Sequence, residues 1–157
     1  MSVEESKNLI RRLYEEVDKG NLSAMDEFFA PNLVDHNPPP IPGLVPGLKG
    51  IKQAFNMFLT AHADGAHTIE DMIAEGDKVV VRITGHGTHT GEFLGSPPTG
   101  KQLTMTGIAI YRIAGGKIVE RWAEHNLLGL MHQLGVIPPP REAGAEPLWY
   151  ILQCSRL

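Results

Sequence analysis

The sequence predicts an α+β domain in which helices cover one face of a curved antiparallel sheet. Three observations carry that prediction. Apolar residues recur at helical spacing in three segments before Gly65. From His67 the pattern changes to long segments rich in Val, Ile and Thr, broken at Gly76-Asp77 and at Gly115-Gly116 as hairpins require. The helices come first and the strands follow in a block, which separates α+β from alternating α/β folds. A sheet that curls around its helices encloses a pocket.

Ser2 with Glu5 three residues on forms a capping box, and Leu9, Ile10, Leu13, Tyr14 and Val17 then follow at helical spacing until Gly20. Asn21 can cap a second short helix holding Met25, Phe28 and Phe29 and ended by Pro31. Leu33 to His36 read as a short extended piece. Pro38, Pro39, Pro40, Pro42 and Pro46 then exclude regular helix or central strand. A third helix is expected from about Gly50 to Ala63, with Phe55 and Phe58 on its apolar face. The strands fall at 67–75, 78–89, 102–113 and 117–126, with a loop over Gly91 to Gly100. A last helix runs from Leu127 to Leu134 and stops at Gly135. Residues 1–137 thus read as one domain, and 138–157 as a tail that docks on the domain or on a partner.

Length and composition fit one globular domain. At 157 residues, with 42% hydrophobic and 20% charged, the chain can build a core and is not disordered. Its single cysteine, Cys154, cannot form an internal disulfide. The net charge of -4, without a basic stripe, argues against nucleic acid as a partner. Apolar runs such as Val79-Val80-Val81 are too short to span a bilayer, and the acidic start at Met1 to Glu5 has no apolar signal core, so no membrane and a cytoplasmic setting are expected.

The strand from Lys117 to Asn126 is the segment richest in chemistry. Strict alternation puts Ile118, Glu120, Trp122, Glu124 and Asn126 on one face and Val119, Arg121, Ala123 and His125 on the other. The large indole of Trp122 assigns the first face to the interior. Glu124 would then be a carboxyl beside an apolar wall, able to act as acid or base; alternatively it reaches solvent at the rim beside a basic group. Asn126 stands directly before a helix, where it can equally serve as the N-cap. His36, in Asp35-His36-Asn37, could act as a general base, while Asp35 and Asn37 could instead satisfy local turn groups. The seven histidines are not spaced as metal ligands: His86 and His89 are three apart on a strand and point to opposite faces. No nucleotide-binding motif and no nucleophile elbow occur.

The stretch Gly87-Thr88-His89-Thr90-Gly91-Glu92-Phe93-Leu94-Gly95-Ser96-Pro97-Pro98-Thr99-Gly100-Lys101 resembles the loop signature of the SnoaL-like polyketide cyclases. Gly116 to Glu120 through Trp122, then Leu128-Gly129-Leu130 and Gln133-Leu134-Gly135, are similar to that family's last hairpin and helix. Val34 to Asn37 resembles its early pocket motif, and the likeness spans roughly 5–137. It implies a cone-shaped α+β barrel of the nuclear-transport-factor-2-like superfamily, shared with ketosteroid isomerase, scytalone dehydratase and limonene epoxide hydrolase. It also implies a homodimer, and cofactor-free acid–base chemistry in a hydrophobic cavity. The family pattern Trp-x-x-x-Asp supplies the acid/base of an aldol closure; here the position is Asn126, which exchanges no proton. Two functions follow as expectations. One is a cofactor-independent lyase, isomerase or hydrolase acting on a small, mostly apolar organic molecule. In it Glu124 and His36 move the proton, Asn126 orients, and Trp122, Asp35, Phe55 and Phe58 contact the substrate. The other is a carrier that binds such a molecule without chemistry.

Overall fold

The computed structural model describes residues 1–138. Its element order is α1 (Val3–Asp18), a 3-10 turn (Leu22–Ala24), α2 (Met25–Phe28), β1 (Phe29–Asp35), α3 (Gly47–Ala61), β2 (Ala66–Glu75), β3 (Lys78–Thr88), β4 (Gln102–Ala114), β5 (Lys117–His125) and α4 (Leu127–Leu134). The strands form one sheet in the order β1-β5-β4-β3-β2, antiparallel except for the parallel pair β1 and β5. The expected tail, apart from its first residue, Pro138, lies outside the described residues. No described helix is long and apolar enough to cross a membrane.

Local chemistry accounts for the boundaries. Ser2 Oγ accepts from the Glu5 amide at 3.2 Å while Glu5 Oε2 accepts from the Ser2 amide at 2.6 Å, so the capping box starts α1. Ile10, Leu13, Tyr14 and Val17 form its buried stripe. Gly135, at φ 76°, ends α4 in the left-handed conformation that glycine adopts without strain. The second helix is shorter than the periodicity predicts. It stops at Phe28, Asn21 makes no capping bond to the turn that follows it, and Phe29 opens β1. Pro31 lies inside β1, on an edge strand whose register shifts between Phe29 and Val34; an edge position with a bulge tolerates the missing donor.

The inner face of the sheet follows three rows of cross-strand pairs: Val79–Tyr111–Arg121, Val81–Ala109–Ala123 and Ile83–Gly107–His125. Ile10, Leu13 and Val17 of α1 pack in the same buried cluster as Val79, Val81 and Tyr111. Toward Gly85 and Gly107 two inward positions carry no side chain, and there the interior opens into a hollow that His67, Ile83, Met105 and His125 also line.

Candidate active site

The hollow is a cavity of about 240 Å3 between α3, the inner sheet and two loops. Its apolar wall comes from Ile51, Ala54, Phe55 and Phe58 of α3, from the proline-rich loop through Pro38, Ile41, Leu44 and Val45, and from Phe93 and Leu94. The sequence-predicted contacts Asp35, Phe55 and Phe58 all line it. Gly50 lets the proline-rich loop fold down: a Cβ there would lie 1.8 Å from the Val45 carbonyl oxygen. Leu94, at φ 49°, and Gly95, at φ 77°, are the central residues of a tight turn closed by paired hydrogen bonds between Phe93 and Ser96, a turn that requires left-handed backbone at both positions.

The polar end is built from β1 and β5. Asp35 and Arg121 are register partners, and Arg121 Nη1 donates to both Asp35 oxygens at 3.1 and 3.0 Å. The side chains are 8% and 4% exposed for Arg121 and Asp35 respectively, so this is a buried ion pair. Burial opposes the guanidinium charge, and the surrounding oxygens of Tyr111, Asp35 and Tyr14 more than offset it. Arg121 Nε has no hydrogen-bond partner among the described residues. His125 approaches from the other side, with Nε2 3.5 Å from Arg121 Nη2. Burial, then the Arg121 charge, holds its pKa down at about 4, so the imidazole is neutral at pH 7. Above them Tyr14 and Tyr111 share a hydroxyl–hydroxyl bond of 2.9 Å, and burial pushes the Tyr14 phenol up, which keeps it protonated. Among the described residues no three His, Cys, Asp or Glu side chains converge as a metal ion would need.

The structure reverses the predicted faces of β5. Ile118 is inward as expected, but Val119 is an extra residue: Ile113 pairs with Ile118 and Arg112 with Glu120. This bulge moves every later side chain to the opposite face. Arg121, Ala123 and His125 therefore point inward, and Trp122 and Glu124 do not line the cavity. Trp122 is stacked on His36 with ring centroids 4.4 Å apart. His36 Nε2 lies 2.8 Å from Glu120, whose carboxyl the His36 and Arg112 contacts hold below the usual range. Glu124 is exposed and accepts from Asn37 Nδ2 at 2.7 Å. The Asn37 amide also bonds both backbone groups of Ala123, extending the parallel ladder beyond Asp35. Asn126 caps α4, accepting from the Gly129 amide at 2.9 Å. The structure thus groups His36, Trp122 and Glu120 on the outer face, and Asp35, Phe55 and Phe58 around the cavity.

The fold and the cavity together define a small-molecule-binding α+β domain with a charged, desolvated end. Residues 8–134 match the SnoaL-like polyketide cyclase family, and the chain belongs to that family. It is 29% identical over 146 residues to aklanonic acid methyl ester cyclase DnrD of Streptomyces peucetius, covering 89% of this chain and 97% of that one. Among solved structures, AclR from Streptomyces galilaeus, a candidate hydroxylase, superposes with a TM-score of 0.79 at 26% identity, covering 98% of this chain and 91% of AclR. TsrD from Streptomyces laurentii gives 0.77 at 28%, covering 87% of this chain and 99% of TsrD.

Proposed function

We propose that the chain is a cyclase working without a cofactor, closing a carbon ring in a mostly apolar polycarbonyl substrate by acid–base chemistry. The observation that carries this reading is Arg121, a guanidinium fixed by Asp35 at the polar end of an otherwise apolar cavity. Ring closure of the aldol type removes a proton from a carbon beside one carbonyl, joins that carbon to a second carbonyl, and returns a proton to the new alkoxide. Negative charge develops on oxygen at both stages. Arg121 lines the cavity, and its guanidinium, held in place by Asp35, offers a fixed positive charge to that oxygen at an end of the cavity shielded from bulk solvent, where such a charge is worth most. Tyr14, kept protonated, provides a second donor in the cavity wall. Glu124 and Asn126 do not face this space, so the proton must move through a group that does.

The name of the relative DnrD supplies the first substrate to try, aklanonic acid methyl ester. Purified protein is expected to convert it to an isomer of equal mass. The Asp35→Asn/Arg121→Met double variant, which removes both charges together, should lower turnover by roughly 10²–10³-fold while the ester still binds. Undiminished turnover in that variant overturns the role of Arg121. Tight binding of polycarbonyl esters without any turnover favours the carrier reading instead.

We also propose a homodimer through the outer face of the sheet. Ile73 and Ile108 are 65% and 50% exposed there. Light scattering that gives a monomer mass at micromolar concentration would rule it out.

A further inference from the structure

A carboxylate–histidine pair stands on the cavity wall formed by α1 and β2. Asp18 is the last residue of α1, where unpaired helix carbonyls disfavour a carboxylate, and no basic residue occupies that last turn. Both of its oxygens are engaged by one residue. Oδ2 accepts from the His67 amide at 2.9 Å, and Oδ1 lies 2.6 Å from His67 Nδ1. A carboxylate only accepts, so the proton sits on Nδ1 and the lone pair of the neutral ring is on Nε2.

His67 is 5% exposed at its side chain and lines the cavity. Its ring is held by Tyr14, Phe55 and Phe58, with centroids 5.3, 5.8 and 5.3 Å away. The facing residue of β3 is Gly85, where a Cβ would come within 3.7 Å of Nε2; its absence leaves that nitrogen open to the cavity. On the outside, Asp18 and His67 also line an open groove with Arg11, Glu15, Glu70 and Asp71. The pair therefore crosses the wall between cavity and solvent.

From this geometry we infer that His67, positioned by Asp18, is the group that moves the proton, an assignment that rests on the cyclase reading above. Nε2 takes the proton from the carbon beside a carbonyl, and the C–H electron pair becomes the enolate held at Arg121. Asp18 stabilises the imidazolium through Nδ1–H. After the new C–C bond forms, Nε2 returns its proton to the alkoxide, so no atom is gained or lost. The arrangement divides the work between two walls: a base backed by a carboxylate on one, and a permanent cation on the other.

The test needs no knowledge of the natural substrate. The probe 5-nitrobenzisoxazole reports any base in an apolar cavity: loss of its ring C–H proton forms a nitrile, breaks the N–O bond and releases a coloured phenolate. Its elimination should be roughly 10²–10⁴-fold slower in His67→Gln, or in His67→Asn if that variant folds better, than in the wild-type protein. The pH profile of the wild-type rate should differ from that of the His67 variant. The groups facing His67 are Asp18, Tyr14, Arg11 and Glu15 from α1, Glu70 and Asp71 from β2, and Arg121 and His125 from β5. Any pH step that survives His67→Gln belongs to one of these. Nitrogen NMR should find Nδ1 protonated and Nε2 bare in the neutral ring, and Asp18→Asn should disturb that ratio and slow the probe. Equal probe rates in folded wild-type and His67 variants overturn the assignment, as does a ring protonated on Nε2. If the ester is cyclised equally well without His67, the base lies elsewhere and the cyclase reading stands. If the probe depends on His67 and no polycarbonyl ester is cyclised, the base stands and that reading falls.

Discussion

Replacing Asp35 with asparagine leaves Arg121 charged, buried and without the carboxylate that holds it. Both acceptor contacts to Nη1 come from Asp35, at 3.1 and 3.0 Å, and the guanidinium side chain is 8% exposed, so water offers little compensation. Breaking one member of a buried pair costs about 3–5 kcal/mol. The asparagine oxygen retains one of the two bonds, which places Asp35→Asn near the lower end, at about 3 kcal/mol. For a domain of this size each kcal/mol moves the midpoint by about 2–4 °C, so the melting temperature should fall by roughly 6–12 °C. Urea unfolding of the single variants and of Asp35→Asn/Arg121→Met forms a double-mutant cycle. The double variant is expected to recover most of the loss, since it buries no uncompensated charge. A loss below about 1 kcal/mol in Asp35→Asn, at unchanged denaturant slope, would show that Arg121 is solvated and refute the buried-pair argument.

Other variants probe separate parts of the site. His125 is neutral in the folded chain, with a pKa held at about 4 against an ordinary 6.5, so the unfolded chain takes up the proton first as pH falls. Its contribution to stability is complete above pH 6.5 and is lost progressively between 6.5 and about 4. Denaturation measured across that window should show a shallower pH slope in His125→Gln than in the wild type. Tyr14→Phe strands a buried Tyr111 hydroxyl and should cost about 1–3 kcal/mol in urea unfolding, whereas Tyr14→Phe/Tyr111→Phe should cost less. Gly50→Ala drives a methyl into the Val45 carbonyl and should lower stability by about 1–3 kcal/mol, with weaker binding of an apolar dye as the proline-rich loop lifts. Asn126→Ala should lose about 1 kcal/mol as a helix cap and Asn126→Asp almost none, with calorimetry as the check.

Most of the fold could be read because its signals are local. The capping box, the α1 stripe and the glycine turns each occupy a few neighbouring residues, and all appear where the periodicity places them. Phe29 misled because Met25, Phe28 and Phe29 satisfy helical spacing, whereas the pairing of Phe29 with Ile118 is long-range. The site was harder for a similar reason. Arg121 and His125 were visible, but their face depended on a one-residue bulge at Val119, in a stretch where no glycine or proline marks it. Trp122 misled as a guide to the interior because an indole can be covered by stacking on His36 on the other side of the sheet. His67 carries no sequence motif; its partner Asp18 lies 49 positions away and meets it only once α1 packs on β2.

The mass of the product tests the central claim most directly. Aklanonic acid methyl ester incubated with the purified protein, followed by liquid chromatography with mass spectrometry, should give a new peak of unchanged mass. Nuclear magnetic resonance of that product should show one new carbon–carbon bond and one new hydroxyl. The peak should be nearly lost with the Asp35→Asn/Arg121→Met variant. Ester recovered unchanged after saturating the protein, or a product heavier by one oxygen atom, would contradict ring closure by acid–base chemistry in this cavity.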